Sequence, residues 1–514
     1  MRTLNIAIGE RYFKIFPDTL LFYGYLELLL IAGVACCESP ALQRLANKRV
    51  WRMIDLSHIV LSSSLLVFYG LFTFYWAHDH LYHGGKPEKN TIWEVWARTM
   101  GVDASATLGL LLLPVSRSSP LLKSVGFSFE SAISIHKMLG VLFLVFSVLH
   151  MVLYIPTFVH NGHWQDVLPF NLGGVIYTKE QTDNFTIGIM STVFWPSIFI
   201  FGVLPWFRRR CWELFKLSHY MFLVLVPMTV LHGSNAWYFV LPGMFLWTAD
   251  AIIRWSQASE QVHVVACQTC ETCPDGTCVI KLCFTWPGSR REHSPGMFCW
   301  VNCPQLSVLE WHPFSLSSSP LDEVQSVHIK STCSKTFTGK LRRLASQGDL
   351  RLNIDGPYGH FVELNSGSVL LVAGGIGITA MLNLWRYILQ GGPGTEKVQD
   401  LHLVWVMRSM EMASFFSSDL LKTSEHSKCR ARLSLYCSTT LEDSDCMLLP
   451  SPFQVFQGRP KLEEVIEDSL QSAQQLAVRV CGPEELTAGC SKAVSQAKVK
   501  ATATVDFEPW SFVM

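Results

Sequence analysis

Two apolar segments of the chain each carry two histidines at nearly equal spacing. His136 and His150 are 14 residues apart, and His219 and His232 are 13 apart. An α-helix rises about 1.5 Å per residue, so each pair spans about 20 Å and places one imidazole near each face of a hydrocarbon core about 30 Å thick. A single buried histidine is more simply a packing residue, but four at matched depths favour axial ligation of haem iron. The spacing predicts two stacked haems, a path for electrons across a membrane.

The two helices that carry these histidines are separated by one further segment and therefore run in the same direction. We expect His136 to pair with His219 near the inner face and His150 to pair with His232 near the outer face. On an ideal helix, however, His232 points about 140° away from the direction of His219. Because proline disrupts the helical ladder, we expect a kink or bulge near Pro227 that turns His232 toward its partner.

The composition divides the chain into an apolar half and a polar half. Of the 514 residues, 49% are hydrophobic and 16% are charged, and the formal net charge is zero, so a nucleic-acid partner is not indicated. Residues 1–255 hold long apolar runs, whereas residues 256–514 resemble a soluble α/β region. Seven membrane segments are predicted: 19–37, 56–76, 102–115, 131–155, 187–206, 215–233 and 237–254.

Basic residues orient these segments. They cluster in alternate loops, which the positive-inside rule assigns to the cytosol, so the C-terminal half is predicted to be cytosolic. The 156–186 loop is then external, and Asn184 begins a glycosylation sequon there. We expect the protein in the plasma membrane, with a vesicle or vacuole membrane as the alternative.

Two patterns follow one another in the C-terminal half. Short β-like runs between residues 260 and 363 are separated by turn residues and predict a small antiparallel barrel. After Gly367, strands lead into glycine turns and helices, which predicts a parallel, doubly wound sheet.

The first of these glycine turns is a candidate phosphate site. Gly374, Gly375, Gly377 and Thr379 follow a buried strand and open a helix, whose N-terminus favours a phosphate. The alternative is a turn that only packs strand against helix. Arg408 follows the next strand and could pair with a 2′-phosphate, which favours NADPH over NADH.

Four cysteines lie at the first hairpin of the predicted barrel. The spacing C-x2-C-x2-C-x4-C of Cys267, Cys270, Cys273 and Cys278 resembles that of zinc or iron–sulfur ligands. A hairpin of reduced thiols is the alternative, and it is the one favoured for a cytosolic domain.

The segment HPFSLSSSP at 312–320 resembles the ferric reductase and NADPH oxidase superfamily of transmembrane flavocytochromes. The resemblance covers about residues 56–514, and LLLPVSR, HKMLG and WELFKLSHY are similar to the superfamily's membrane signatures. It implies a multidomain chain: an all-α transmembrane bundle of six core helices plus one N-terminal helix, an antiparallel β-barrel FAD domain and a Rossmann-like α/β NADPH domain, as in ferredoxin reductases. The implied domains are an N-terminal helix and basic loop over 1–55, a haem-binding domain over 56–255, an FAD domain over 256–364 and an NAD(P)H domain over 365–514.

The same resemblance assigns site residues. In the flavin motif, Phe314 would pack on the flavin and Ser315 would hydrogen-bond to it; in a second FAD segment, Lys330 would face the pyrophosphate. The metal ligands would be the four histidines that bind two b-type haems. The FAD and NADPH contacts would be His312, Pro313, Phe314, Ser315, His328, Lys330, Thr338, Gly339, Gly356, Pro357, Gly374, Gly375, Gly377, Thr379, Arg408, Cys481, Gly482 and Pro483.

The implied function is electron transfer from cytosolic NADPH through FAD and two haems to an external acceptor. The preferred acceptor is Fe³⁺, or Cu²⁺; the alternative is O₂, giving superoxide, and a third reading is a non-catalytic haem-binding scaffold or transporter. Tyr154 stands where the oxidases often have another histidine, which disfavours an oxidase. The aromatic that covers the flavin is left open among Phe507, Trp510 and Phe512, and the superfamily allows an accessory membrane subunit.

Overall fold

A computed structural model of the protein divides into two units, Met1–Ile253 and Arg254–Met514. The structure describes residues 4–8, 11–15, 17–39, 41–42, 45, 49–51, 54–82, 92–115, 129–160, 190, 210–233, 236–258, 261–270, 276–286, 293–308, 310–348, 350–359, 364, 366–421, 429–438, 453–471, 475–500 and 504–510.

The first unit is built from long helices. Within its described residues, five helical stretches are long and apolar enough to cross a membrane. Two short antiparallel hairpins accompany them, β1 (Leu4–Ile8) with β2 (Arg11–Ile15) and β3 (Arg49–Trp51) with β4 (Ile54–Asp55). The helices are α1 (Pro17–Glu38), α2 (Leu56–Tyr82), α3 (Ile92–Leu112), α4 (Phe129–His160), α5 (Trp212–His219), α6 (Phe222–His232) and α7 (Ala236–Ala258).

The helix α3 differs from its prediction. The predicted segment began at residue 102, whereas α3 begins at Ile92. Glu94, Arg98 and Asp103 lower the hydropathy of its first half, and this hid the helix from a hydropathy argument. The predicted segment 187–206, apart from residue 190, and the loop that holds Asn184 lie outside the described residues.

The expected irregularity between His219 and His232 is present, but it lies before Pro227. The helix is interrupted at Tyr220 and Met221, where hydrogen bonds connect residues three apart, from Met221 N to Ser218 O and from Leu223 N to Tyr220 O. Each 3₁₀ step turns the chain about 120°, about 20° more than an α step, so two or three such steps reduce the 140° misalignment to about 80–100°.

Small residues let α3 approach α7 closely. A Cβ added to Gly109 would lie 2.3 Å from the carbonyl oxygen of Phe239, and one added to Gly243 would lie 2.5 Å from Leu112 Cβ. Such close backbone approach is typical of helix packing in membranes, where van der Waals contact replaces the hydrophobic effect.

The first sheet of the second unit is antiparallel, as predicted. Its strand order is β8-β7-β10-β5-β6-β9, and a bridge between Leu316 and Val327 connects the two outer strands into a barrel. Alternate residues such as Ile280, Leu282 and Ile329 fill its core. The elements are β5 (Gln261–Thr269), β6 (Cys278–Thr285), β7 (Phe298–Asn302), β8 (His312–Ser315), β9 (Gln325–Ser331), α8 (Phe337–Ala345) and β10 (Leu352–Tyr358).

The second sheet is parallel, which confirms the doubly wound prediction. Its order is β14-β13-β12-β11-β15-β16, so the chain reverses its direction of strand addition between β11 and β15. In such sheets, ligands bind at the carboxyl ends of the strands beside this reversal. The elements are β11 (Ser368–Gly374), α9 (Ile378–Leu389), β12 (Asp400–Met407), α10 (Met410–Leu420), β13 (Arg430–Cys437), β14 (Phe453–Gln457), α11 (Leu462–Gln471), β15 (Gln475–Cys481), α12 (Glu484–Lys500) and β16 (Thr504–Pro509).

Candidate electron-transfer sites

The four intramembrane histidines form two ring pairs. The ring centres of His136 and His219 are 6.0 Å apart, and those of His150 and His232 are 6.1 Å apart. A metal ion lies about 2 Å from an imidazole nitrogen, and each nitrogen lies about 1 Å from its ring centre, so two imidazoles on one iron have ring centres about 6 Å apart. Both pairs therefore fit a bis-histidine haem.

Backbone carbonyls of α3 orient the two histidines of α4. His136 Nδ1 lies 3.0 Å from Leu111 O, and His150 Nδ1 lies 2.7 Å from Ala97 O. Because a carbonyl oxygen can only accept, both Nδ1 atoms must donate, which leaves Nε2 as the nitrogen with a lone pair for a metal. A ring held in this way is a typical metal ligand.

Gly101 makes the space for the His150 ring. A Cβ at this position would lie 2.6 Å from His150 Nδ1 and 2.7 Å from its Cε1. Tyr154, one turn further along α4, packs its ring edge against His150 at 5.1 Å between centres. The sequence argument missed Gly101, because nothing in a helix pattern identifies the residue that a neighbouring side chain packs against.

The flavin motif and the second FAD segment meet at α8. His312, at the start of β8, stacks on Phe337, the first residue of α8, with ring centres 4.1 Å apart. Thr336 caps α8 by accepting a hydrogen bond from Gly339 N. A helix N-terminus attracts phosphate groups, so Thr338 and Gly339 lie where a pyrophosphate would bind. Thr336 was missed, although threonine before a helix is the usual N-cap signal.

The remaining residues of these FAD segments lie on neighbouring strands. Pro313 and Phe314 are half-buried on β8, Ser315 is buried at its end, and Lys330 is half-buried on β9.

His328 does not fit the flavin contact assigned to it. Its side chain is fully buried, stacks on Phe416 of α10 at 4.3 Å, and contacts Ser317 Oγ at 2.7 Å and Asp419 Oδ2 at 3.4 Å. No surface of the imidazole is left for a cofactor. We therefore correct the assignment: His328 packs the barrel against the nucleotide lobe.

The segment DGPYG lies beside the flavin motif. Gly356, at the strand position before Pro357, approaches the backbone of Cys299 on β7, to which a Cβ would come within 3.2 Å. β7 pairs with β8 through Cys299 and Phe314, so Gly356 and Pro357 lie level with Phe314 at the end of β8.

The two nucleotide motifs contact each other at the reversal point of the parallel sheet. A Cβ added to Gly377 would lie 2.3 Å from the carbonyl oxygen of Cys481. A Cβ added to Gly374 would lie 3.3 Å from the Cα of Gly482. Pro483 is closer still, with its Cδ 2.7 Å from that position. Glycine is therefore required for this close approach. Burial raises the pKa of the Cys481 thiol to about 12, so it is uncharged at neutral pH.

The glycine turn itself is held by a hydrogen bond from the neighbouring strand β12. Gly375 has a φ of +54°, and its carbonyl accepts a hydrogen bond of 2.9 Å from Trp405 Nε1. Thr379 Oγ1 donates to Ile376 O at 3.0 Å in the first turn of α9. Arg408 is exposed directly after β12, on the same edge of the sheet.

Trp510 occupies the cleft end of the C-terminal strand. Its backbone N donates to Val480 O at 2.7 Å, and its ring lies against Gly296 of the barrel. Phe507 is instead buried in the core of the nucleotide lobe, and Phe512 lies outside the described residues. Of the described candidates, Trp510 is the aromatic placed between the two lobes.

Polar residues missed by the sequence argument join the lobes. Asn383 of α9 is fully buried and donates to Leu316 O and Ser318 O, at the end of the flavin-motif strand. Arg386 and Asp322 form a buried ion pair of 2.8 Å across the same boundary. The two lobes are therefore fixed relative to each other.

The cysteine hairpin shows no metal cluster in its described part. Cys278 Sγ donates to Cys270 O at 3.0 Å. Cys267 lies three residues earlier, on β5, and Cys273 is outside the described residues. Throughout the described chain, no three or more potential metal-binding histidine, cysteine or acidic side chains come together.

Known proteins resemble the chain along most of its length. The Ferric reductase like transmembrane component matches residues 100–230, an FAD-binding domain matches 262–362, and the Ferric reductase NAD binding domain matches 367–495.

Three known proteins are similar to parts of the chain. Ferric reduction oxidase 2 of Arabidopsis thaliana is 28% identical over 300 residues, which are 57% of this chain and 39% of the relative. Dual oxidase 2 of Sus scrofa is 24% identical over 352 residues, 61% of this chain and 22% of the relative. A solved ferredoxin NADP+ reductase from Neisseria gonorrhoeae is 16% identical, covers 49% of this chain and 97% of its own, and has a TM-score of 0.35. The chain thus spans about two fifths of the length of the first relative.

Fold and site together define an integral membrane flavoprotein with FAD-binding and NAD(P)H-binding domains. The chain belongs to the ferric reductase and NADPH oxidase family, which confirms the resemblance and the fold class inferred from the sequence.

Proposed function

We propose that the protein carries electrons from cytosolic NADPH to ferric ion, or cupric ion, on the opposite side of the membrane. The observation that carries this proposal is the presence of two histidine pairs at two depths of one helix bundle, with ring centres 6.0 and 6.1 Å apart. The ferric reductase domains that match the chain support the same reading.

His136 with His219, and His150 with His232, would each hold one b-type haem. Bound there, haem iron supplies one-electron redox chemistry, and flavin in the barrel converts hydride donation into single-electron steps. Because two imidazoles would hold each iron, the acceptor would receive its electron at the edge of the haem and not as an iron ligand. The protein's part is to hold the rings and exclude water.

Residues of the C-terminal half would bind and position the electron donor, NADPH. The turn Gly374–Gly377 with the N-terminus of α9 would bind the nucleotide phosphates, and Arg408 would pair with the 2′-phosphate of NADPH. Trp510 would cover the flavin ring until the nicotinamide replaces it. The thiol of Cys481, uncharged because it is buried, would lie beside the nicotinamide without placing a nucleophilic thiolate there.

The placement in the cell follows from the basic loops, which put the dehydrogenase half in the cytosol. We place the protein in the plasma membrane, and we retain the four-part division at residues 55, 255 and 364. An accessory membrane subunit is compatible with this arrangement.

Membrane vesicles loaded with NADPH on the cytosolic side test the acceptor. We expect Fe²⁺ to be produced from a ferric chelate at a rate that added superoxide dismutase does not change. If the dismutase abolished Fe²⁺ production, the primary acceptor would be O₂, since superoxide itself reduces iron. The Dual oxidase 2 match makes this the alternative worth measuring.

A further inference from the structure

Asp103 is a carboxylic acid buried in the middle of the helix bundle. It lies on α3, six residues after Ala97 and eight before Leu111, whose carbonyls orient His150 and His136. At about 1.5 Å per residue, Asp103 lies about 9 Å below the level of Ala97 and about 12 Å above that of Leu111. Its exposed fraction is 0%. The acid therefore lies at a depth between the two histidine pairs.

Only one carboxyl oxygen of Asp103 has a protein partner within the part of the chain that the structure describes. Thr73 Oγ1 donates to Oδ2 at 2.8 Å, while Oδ1 is buried without a hydrogen bond. No described lysine, arginine or histidine forms an ion pair with it. An ionised carboxylate with so few partners is costly in a membrane, whereas its protonated form is not.

The titratable groups around Asp103 are few. Tyr69 of α2 reaches it through Thr107: Thr107 Oγ1 donates to Asp103 O at 2.6 Å, so the tyrosine hydroxyl must donate to Thr107 across 2.7 Å. From α4, His136 and His150 contact carbonyls of α3. From α7, the contacts near Gly109 are made by Phe239 and Gly243, which do not titrate.

We propose that Asp103 is a proton-binding site whose protonation follows the redox state of the histidine-held haems; this inference rests on the proposed function. With the haems reduced, the Asp103 carboxylate would hold one proton taken from the aqueous phase, in an O–H bond at Oδ1. With the haems oxidised again, that bond would break and the proton would return to water. Two unit charges about 12 Å apart at an effective dielectric constant of about 20 change an equilibrium constant about tenfold.

A spectroscopic redox titration of the full-length protein in detergent tests this, because it needs no turnover. At fixed potentials between pH 5.5 and 8.5, the ratio of reduced to oxidised haem should rise as pH falls, by about tenfold in total. In Asp103→Asn this pH dependence should disappear while the haem spectrum stays unchanged. Thr73→Val, which keeps the acid but removes the hydrogen bond to its ionised form, should move the pH dependence to higher pH.

Tyr69→Phe is the matched control and should retain the pH dependence. A pH-independent ratio in the unaltered protein, or a pH dependence that survives in Asp103→Asn, would overturn the inference. If Asp103→Asn does not fold, Thr73→Val decides: a haem reduction ratio that changes over the same pH range as in the unaltered protein would also overturn the inference. Absence of any haem spectrum would instead count against the proposed function.

Discussion

The ring of Trp510 lies so close to the backbone of Gly296 that a Cβ on this glycine would approach the indole Cη2 to 2.8 Å. Gly296 has a φ of +83°, which glycine adopts without strain. Trp510 belongs to the nucleotide lobe and Gly296 to the barrel, so this contact joins the two lobes.

Replacing Trp510 tests its place over the flavin. Under the proposed function nicotinamide binds where the indole lies, so Trp510→Ala should lower the Kd for NADP⁺ several-fold, up to about tenfold, and narrow the preference for NADPH over NADH. Trp510→Phe, which keeps an aromatic ring, should stay close to the unaltered protein. Titration of flavin absorbance with each nucleotide measures this, and an unchanged Kd in Trp510→Ala would remove the indole from the site.

The strand that precedes Trp510, β16, is anchored by a buried arginine. Arg479 of β15 has no exposed side-chain surface and pairs with Asp506 at 2.6 Å and Glu508 at 3.2 Å, both on β16. Because both carboxylates remain partly exposed, Arg479→Met should cost about 1–3 kcal/mol of unfolding free energy, less than for a wholly buried pair. Thermal denaturation followed by flavin fluorescence measures it.

The surface pair of Arg432 with Asp468, with side chains about half exposed, is the control for this variant. Arg432→Met should change the free energy of unfolding by at most about 0.5 kcal/mol. Equal effects of the two substitutions would mean that Arg479 does not anchor the strand.

A buried ion pair at the lobe boundary predicts an acid-dependent stability. Lys281 Nζ lies 2.6 Å from Asp419 Oδ2. Burial alone would raise the pKa of Asp419, but hydrogen bonds from His328 and Lys281 lower it more, so its pKa lies below the usual range. A lowered carboxyl pKa stabilises the fold above the unfolded-state value of about 4, and this stabilisation is lost as the pH falls through the folded value.

Lys281→Met should therefore lower the unfolding free energy by about 3 kcal/mol at neutral pH, because it removes the cationic partner of a buried carboxylate. The difference from the unaltered protein should hold down to about pH 4 and shrink below it. Denaturation curves between pH 3 and 7 check this; a difference that grows on acidification would contradict the assigned pKa.

Gly101 predicts a selective loss of one haem. Because any side chain there collides with the ring of His150, Gly101→Val should disrupt the outer pair and leave the inner pair intact, so haem content should fall by about half. Gly140→Ala is the control, since its nearest neighbour would be Leu111 Cδ1 at 3.8 Å, an ordinary contact. Haem extraction and quantification against FAD measures both; full haem content in Gly101→Val would argue against His150 as a ligand.

The spacing of the histidines and the direction of their helices were enough to predict which rings meet. The same argument could not find Gly101 or Asp103, because their roles depend on which helix packs against α3. His328 was misassigned for a similar reason: its motif fixes its strand, but the face of that strand is covered by α10, which comes 80 residues later in the chain. The break at Tyr220, ahead of Pro227, reflects local hydrogen bonding that residue type does not specify.

The central claim is that two histidine pairs carry electrons from NADPH. Anaerobic addition of NADPH to membranes that contain the protein, followed by absorbance, tests it most directly. We expect two bis-histidine haems per chain, both reduced by NADPH, with His136→Leu and His219→Leu losing the same haem and His150→Leu and His232→Leu losing the other. A chain without haem absorbance, or haem that NADPH leaves oxidised, would contradict the account.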